Sequence, residues 1–169
     1  MEVLLADEYG FCFGVERAVE MVEDALDEGV RPIRSLGPLI HNAQEMERLG
    51  ELGVSTIDEP TEADADTIAV IRAHGVTPQV QSELEKRAAQ VVDATCPFVT
   101  RVQRLAERAA KDGRHVVVAG SPDHPEMIGV VGYAPNNTFV VRDAEDVKGL
   151  PPLHAPLVVS QTTLKLKTF

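Results

Sequence analysis

Two cysteines and five histidines are the side chains of this 169-residue chain best suited to hold a metal or an anion. Most of them occupy one class of position. Cys12, His41, His74, Cys96, His124 and Thr162 each fall just after an expected strand or at the start of an expected helix. In open parallel α/β sheets, ligands bind outside the carboxyl ends of the strands. Polar and soft groups that share this position are expected to converge on one site.

Each segment has its own chemistry. Gly10-Phe11-Cys12-Phe13-Gly14 is a Gly-flanked turn leading into a helix, and Asp93-Ala94-Thr95-Cys96-Pro97 repeats the device. Proline is favoured at the first helical position, which makes Cys96 the N-cap. Helix N-termini favour thiolate over thiol, so a pair of such cysteines suits metal ligation, whereas a free cysteine elsewhere is commonly a small buried hydrophobe. His124-Pro125-Glu126 is a helix start of the same type, and Thr77-Pro78 caps another just after His74. Ile40-His41-Asn42 leads into the helix that begins at Ala43. Imidazoles and helix N-termini can both donate to a phosphate. Glu126 adjoins this set, where it either delivers a proton or complements the helix dipole; the residues alone leave both readings open. His115 and His154 fall at a strand start and in a Pro-rich loop and are expected to be structural.

The elements that must position these groups alternate. Short β-branched runs predict strands at 3–6, 33–36, 67–71, 91–93, 115–119, 138–141 and 157–160, and longer amphipathic runs predict helices at 15–27, 43–52, 79–88, 98–111 and 126–132. Val15, Ala18, Val19, Val22 and Leu26 recur at helical spacing with acids between them. Strands alternating with helices of this length indicate βαβ units and parallel sheets. The fold class is therefore α/β, in two similar units with parallel-stranded sheets flanked by helices: residues 1–96, then 97–169, with the second unit expected to be cut short at its C-terminal end. Residues 164–169 read as the opening of a further helix.

Composition sets outer limits. Hydrophobic residues are 44% of the chain, enough for a core, and the net charge is −11 with no basic stripe, so nucleic acid is not an expected partner. An anion must then be held by local donors against an unfavourable field. No run of about 18 apolar residues is present, so no membrane span is expected. Residues 1–6 are too short and lack the basic start of a signal peptide, so the expected location is cytoplasmic, where unpaired cysteines persist.

Taken in order, GFCFGVERA (10–18), LIHN (39–42), AHGV (73–76), DATCPFVT (93–100), HPE (124–126) and SQTT (160–163) resemble the signatures of the 4-hydroxy-3-methylbut-2-enyl diphosphate reductase family. The resemblance implies an iron–sulfur oxidoreductase of isoprenoid biosynthesis. Its reaction is the last step of the non-mevalonate pathway, the reductive removal of a hydroxyl from an allylic diphosphate to give isopentenyl and dimethylallyl diphosphate. It implies a [4Fe–4S] cluster ligated by Cys12, Cys96 and a third cysteine that lies beyond residue 169. It also implies substrate binding by His41, His74 and His124, proton delivery by Glu126 with His124 nearby, and Thr162 in the polar shell of the leaving hydroxyl. The expected partners are the small diphosphate substrate and an electron donor such as ferredoxin or flavodoxin. The family fold has three α/β units around the cluster, of which this chain would supply the first two. Two other readings fit the residues: a non-redox zinc protein using Cys12, Cys96 and a histidine, and a phosphate-binding module without chemistry.

Overall fold

The computed structural model describes residues 3, 4, 6, 7, 9–29 and 31–165. Helix α1 (Phe13–Glu28) buries Ala18, Val19, Val22 and Ala25 at three- and four-residue steps, and Gly29 ends it at φ 65°, the left-handed conformation that a Cβ disfavours. Strands β1 (Ile33–Leu36), β2 (Val54–Ile57), β3 (Ile68–Ile71) and β4 (Gln90–Asp93) form a parallel sheet in the order β2-β1-β3-β4. Ile33 stands opposite both Val54 and Ile68. Every residue of β3 is buried, as expected of an Ile-Ala-Val-Ile run in a sheet covered on both faces. Helices α1 and α2 (Ala43–Glu51) supply the core on one face through Val22 and Leu49, packed against Ile33, Ile68 and Val70. On the other face, Leu84 of helix α3 (Pro78–Arg87) packs against Leu36, Ala69 and Ile71.

The second unit repeats the scheme with fewer strands. β5 (Val116–Ala119), β6 (Thr138–Val141) and β7 (Leu157–Ser160) are parallel in the order β6-β5-β7. Helices α4 (Pro97–Lys111) and α5 (Pro125–Tyr133) bring Ala106, Ala109, Met127 and Val130 onto Val116 and Val118. The alternate residues Val117 and Ala119 point to the opposite face, where they line a 570 Å³ cavity with Val141, Val147 and Val158. Helix α6 (Ala144–Lys148) lies at that side, capped by Asp143, whose carboxylate accepts from the Glu145 and Asp146 N–H groups. The two units meet tightly: a Cβ on Gly132 of α5 would stand 2.5 Å from Thr77 Cγ2 at the cap of α3.

The fold is thus α/β, in two units, each a parallel sheet flanked by helices. Three expectations need correction or limits. The chain is not in a strand at residues 3, 4 or 6, and Val3 and Leu4 are exposed. An apolar run becomes a strand only where it pairs with a neighbour, and residues 3, 4 and 6 pair with none of the strands; residue 5 lies outside the described residues. Leu164 and Lys165 are not helical, and the rest of the helix opening expected at 164–169 lies outside the described residues. Strand β2 and helix α6 were not expected. No helix among the described residues is long and apolar enough to cross a membrane.

Candidate functional site

Parallel pairing puts the carboxyl ends of all strands in a sheet on one edge. His41 follows β1, His74 follows β3, and His124 follows β5 as the N-cap of α5. These ends bring three imidazoles from two units together. Ring centroids are 4.5 Å apart for His41–His74, 5.3 Å for His74–His124 and 6.1 Å for His41–His124. One nitrogen from each lies within 4.8 Å of the others, close enough to share one small ligand. His115 and His154 are excluded by topology. They stand at the amino end of β5, where the His154 N–H donates to His115 Nδ1 at 2.6 Å.

The cluster is electrically unusual. Burial, aided by the like charges of His41, His124 and Arg72, pushes His74 down to about 4. Burial also lowers His124, against the pull of Glu126. At neutral pH both rings are therefore neutral, each with one N–H to give. The backbone N–H of Glu126 donates to His124 Nδ1 at 3.2 Å, which leaves the His124 proton on Nε2. His74 Nδ1 is buried with no partner.

A stability test follows from this burial. Unfolded His74 takes up its proton near 6.5, folded His74 at about 4. Between those values the unfolded chain binds more protons, so stability is full above the higher value and declines as pH falls toward the lower one. His74→Asn is expected to flatten the fall in urea midpoint between roughly pH 7.5 and pH 4.5, leaving a remainder from His124 and, at the acid end, from lowered carboxylates such as Glu107. An unchanged slope would contradict a buried neutral His74.

Glu126 lies in the first turn of α5, yet it is 1% exposed. A glutamate that served only the helix dipole would stand in solvent. A buried carboxyl needs partners, and Thr162, just after β7, provides them. Its backbone N–H donates to Oε1 at 2.7 Å and its hydroxyl to Oε2 at 2.8 Å.

Cys12 caps α1 and Cys96 caps α4, and neither side chain makes a capping hydrogen bond, so both sulfurs are uncommitted. Neither forms a disulfide; Cys12 is exposed and Cys96 half-buried. The two helix starts are in contact. A Cβ on Gly14 would stand 2.5 Å from Cys96 Sγ, so only glycine lets the Cys96 thiol rest on the first turn of α1. Arg17 Nη1 donates to the Thr95 carbonyl at 3.2 Å and ties the same two segments. Among the described residues the ligand-sized grouping is the histidine trio, and the mixed set of Cys12, Cys96 and a histidine forms no such group.

A family model described as LytB protein matches residues 3–169. The chain belongs to the LytB family. It is 38% identical to the 4-hydroxy-3-methylbut-2-enyl diphosphate reductase of Alkaliphilus oremlandii, across all of this chain and 61% of that protein. It is 41% identical to the reductase of the same name from Campylobacter concisus, across all of this chain and 60% of the relative. Among solved structures, the E-1-hydroxy-2-methyl-but-2-enyl-4-diphosphate reductase from Plasmodium falciparum superposes with a TM-score of 0.90 at 31% identity, over 96% of this chain and 52% of that one. A structure of (E)-4-hydroxy-3-methyl-but-2-enyl diphosphate reductase, described as the terminal enzyme of the non-mevalonate pathway, matches with a TM-score of 0.85 at 36% identity, over 98% of this chain and 59% of that one. The LytB chain spans about 60% of the length of the curated relatives it matches.

Two polar residues near the histidines were not singled out by the sequence reading. Asn42 caps α2 by accepting from the Glu45 N–H at 3.0 Å, and it lines a 320 Å³ cavity with Phe11, His41, His74 and Thr163. Its place directly after His41 was the available signal. Arg72 stands two residues before His74, and its Nε is buried without a partner. Its signal was a cation immediately after a strand in an acidic chain.

Proposed function

We propose that this chain carries the N-terminal part of a 4-hydroxy-3-methylbut-2-enyl diphosphate reductase, with a boundary between its two units at Cys96–Pro97. The observation that carries the reading is the meeting of three imidazoles from two units beside a buried Glu126–Thr162 pair. The relatives' names supply the substrate, a diphosphate with an allylic hydroxyl. In the overall reaction the C–O bond breaks and a C–H bond forms. Two electrons and two protons enter, and the hydroxyl leaves as water.

Cys12 and Cys96 fit two of the three thiolate positions of a [4Fe–4S] cluster: both sulfurs are uncommitted, both sit at helix N-termini, and Gly14 keeps the two starts in contact. The third thiolate must come from outside residues 1–169, since the chain has only two cysteines. When bound, the cluster would supply the electrons, received from a donor such as ferredoxin or flavodoxin, and an open iron for the substrate alcohol. The chain's own residues do the rest. His41, His74 and His124 donate N–H groups to the diphosphate. Glu126 relays a proton through its carboxyl, and the Thr162 hydroxyl hydrogen-bonded to it lies on the path toward the leaving oxygen. Unpaired cysteines suit the reducing cytoplasm.

Calorimetric titration with inorganic pyrophosphate tests the anion site without the cluster. His74→Asn and His124→Asn are each expected to weaken binding by about tenfold, the loss of one good hydrogen bond to a charged group. Affinity unchanged in both variants would remove the histidines from the site.

A further inference from the structure

Arg72 follows the last residue of β3 and is half-buried, with a buried Nε that has no hydrogen-bond partner. Burial lowers its guanidinium below the ordinary value, and no charged partner opposes that shift. The loop after β1 is shaped around it: Gly37 has φ 70°, and a Cβ there would collide with Arg72 Nη1. The groups about it are known. His74 lies on its own loop, His41 on the loop after β1, and His124 at the start of α5. Asp58 and Glu59, both exposed, share with Arg72 the walls of a 270 Å³ cavity. Glu59 is occupied by a reciprocal cap with Glu62. The field of Arg72 reaches both His74 and His124.

An unpaired charge held partly out of water destabilises the fold. Evolution commonly removes such a cost unless a ligand offsets it. The imidazole cluster has the complementary deficiency. His74 and His124, both lowered by burial, offer N–H donors but little charge, inside a chain of net charge −11. We propose that Arg72 is a positioning residue of the diphosphate site, supplying the fixed positive charge that draws the anion onto His41, His74 and His124. The inference rests on the diphosphate reading of that cluster and adds the residue that offsets the chain's acidity there. Arg72 stays charged across the physiological range, so the site does not depend on protonating its histidines.

The test uses the whole 169-residue chain with Arg72→Met, Arg72→Gln and Arg72→Lys. Inorganic pyrophosphate is titrated while the imidazole nitrogens of His41, His74 and His124 are followed by NMR. Arg72→Met and Arg72→Gln are expected to weaken binding by about tenfold, as the loss of one favourable charge predicts, with the same three rings still responding. Arg72→Lys is expected to retain most of the affinity. Without pyrophosphate, Arg72→Met is expected to raise the thermal midpoint, because the unpaired charge is gone. Wild-type affinity in Arg72→Met, or an equal loss in Arg72→Lys, would overturn the proposal and make Arg72 a packing residue while the histidine site stands. Rings that fail to respond to pyrophosphate in the wild type would overturn the diphosphate reading itself, and the role of Arg72 with it.

Discussion

Cys12→Ser and Cys96→Ser, each made in a chimera of residues 1–169 and the remaining part of a LytB relative, are expected to lose the iron–sulfur cluster. Iron should fall from about four per chain to less than about one, with loss of the brown absorption. A serine hydroxyl is a hard, weakly acidic donor, and it replaces a soft thiolate that iron–sulfur clusters require. The fold should survive both changes. Neither sulfur makes a capping hydrogen bond, Cys12 is exposed, and serine is itself a good N-cap. Serine at 96, with an oxygen smaller than the sulfur, still fits against Gly14. Unchanged circular dichroism with iron lost is the expected pairing. Normal iron in either variant would contradict the ligand assignment.

Glu126→Gln should act differently. Glutamine keeps the shape of the buried side chain. Its carbonyl oxygen can accept from the Thr162 N–H, and its amide can donate to the Thr162 hydroxyl, so both contacts at 2.7 and 2.8 Å persist. What is lost is the exchangeable carboxyl proton. Turnover in the chimera is expected to fall by about 10²- to 10⁴-fold, the usual weight of a positioned proton donor, with iron content and diphosphate affinity retained. A wild-type rate would show that the buried Glu126–Thr162 pair only holds β7 against α5.

The helix starts that carry the site were legible because proline marks them. Cys96-Pro97, His124-Pro125 and Thr77-Pro78 all prove to be N-cap and first-turn pairs, and Thr77 Oγ1 accepts from the Val80 N–H at 3.3 Å. Strand order was harder to read. Val54-Ser55-Thr56-Ile57 has two exposed polar residues between two buried ones, which is an edge-strand pattern without the alternation of a half-buried strand. Helix α6 spans five residues, too few for periodicity, though Asp143 followed by two acids was a cap signal. Val3, Leu4 and Ala6 erred the other way: strand propensity without pairing to a neighbour makes no sheet.

In the site, the position of each histidine at a strand end foretold their meeting. The pairing of Glu126 with Thr162 did not show, because the two are 36 residues apart and join only when β7 lies beside β5. Arg72 was passed over because whole-chain charge says nothing of where one cation is buried. Local chemistry was readable one segment at a time, whereas contacts between segments required the sheet order.

The reductase assay on the chimera tests the central claim most directly. After anaerobic reconstitution, 4-hydroxy-3-methylbut-2-enyl diphosphate and a one-electron donor are supplied, and donor oxidation is measured against isopentenyl and dimethylallyl diphosphate formed. The account predicts two donor electrons consumed per product molecule, with turnover lost in Cys12→Ser and strongly slowed in Glu126→Gln. A folded chimera with its full iron content that formed neither product would contradict it.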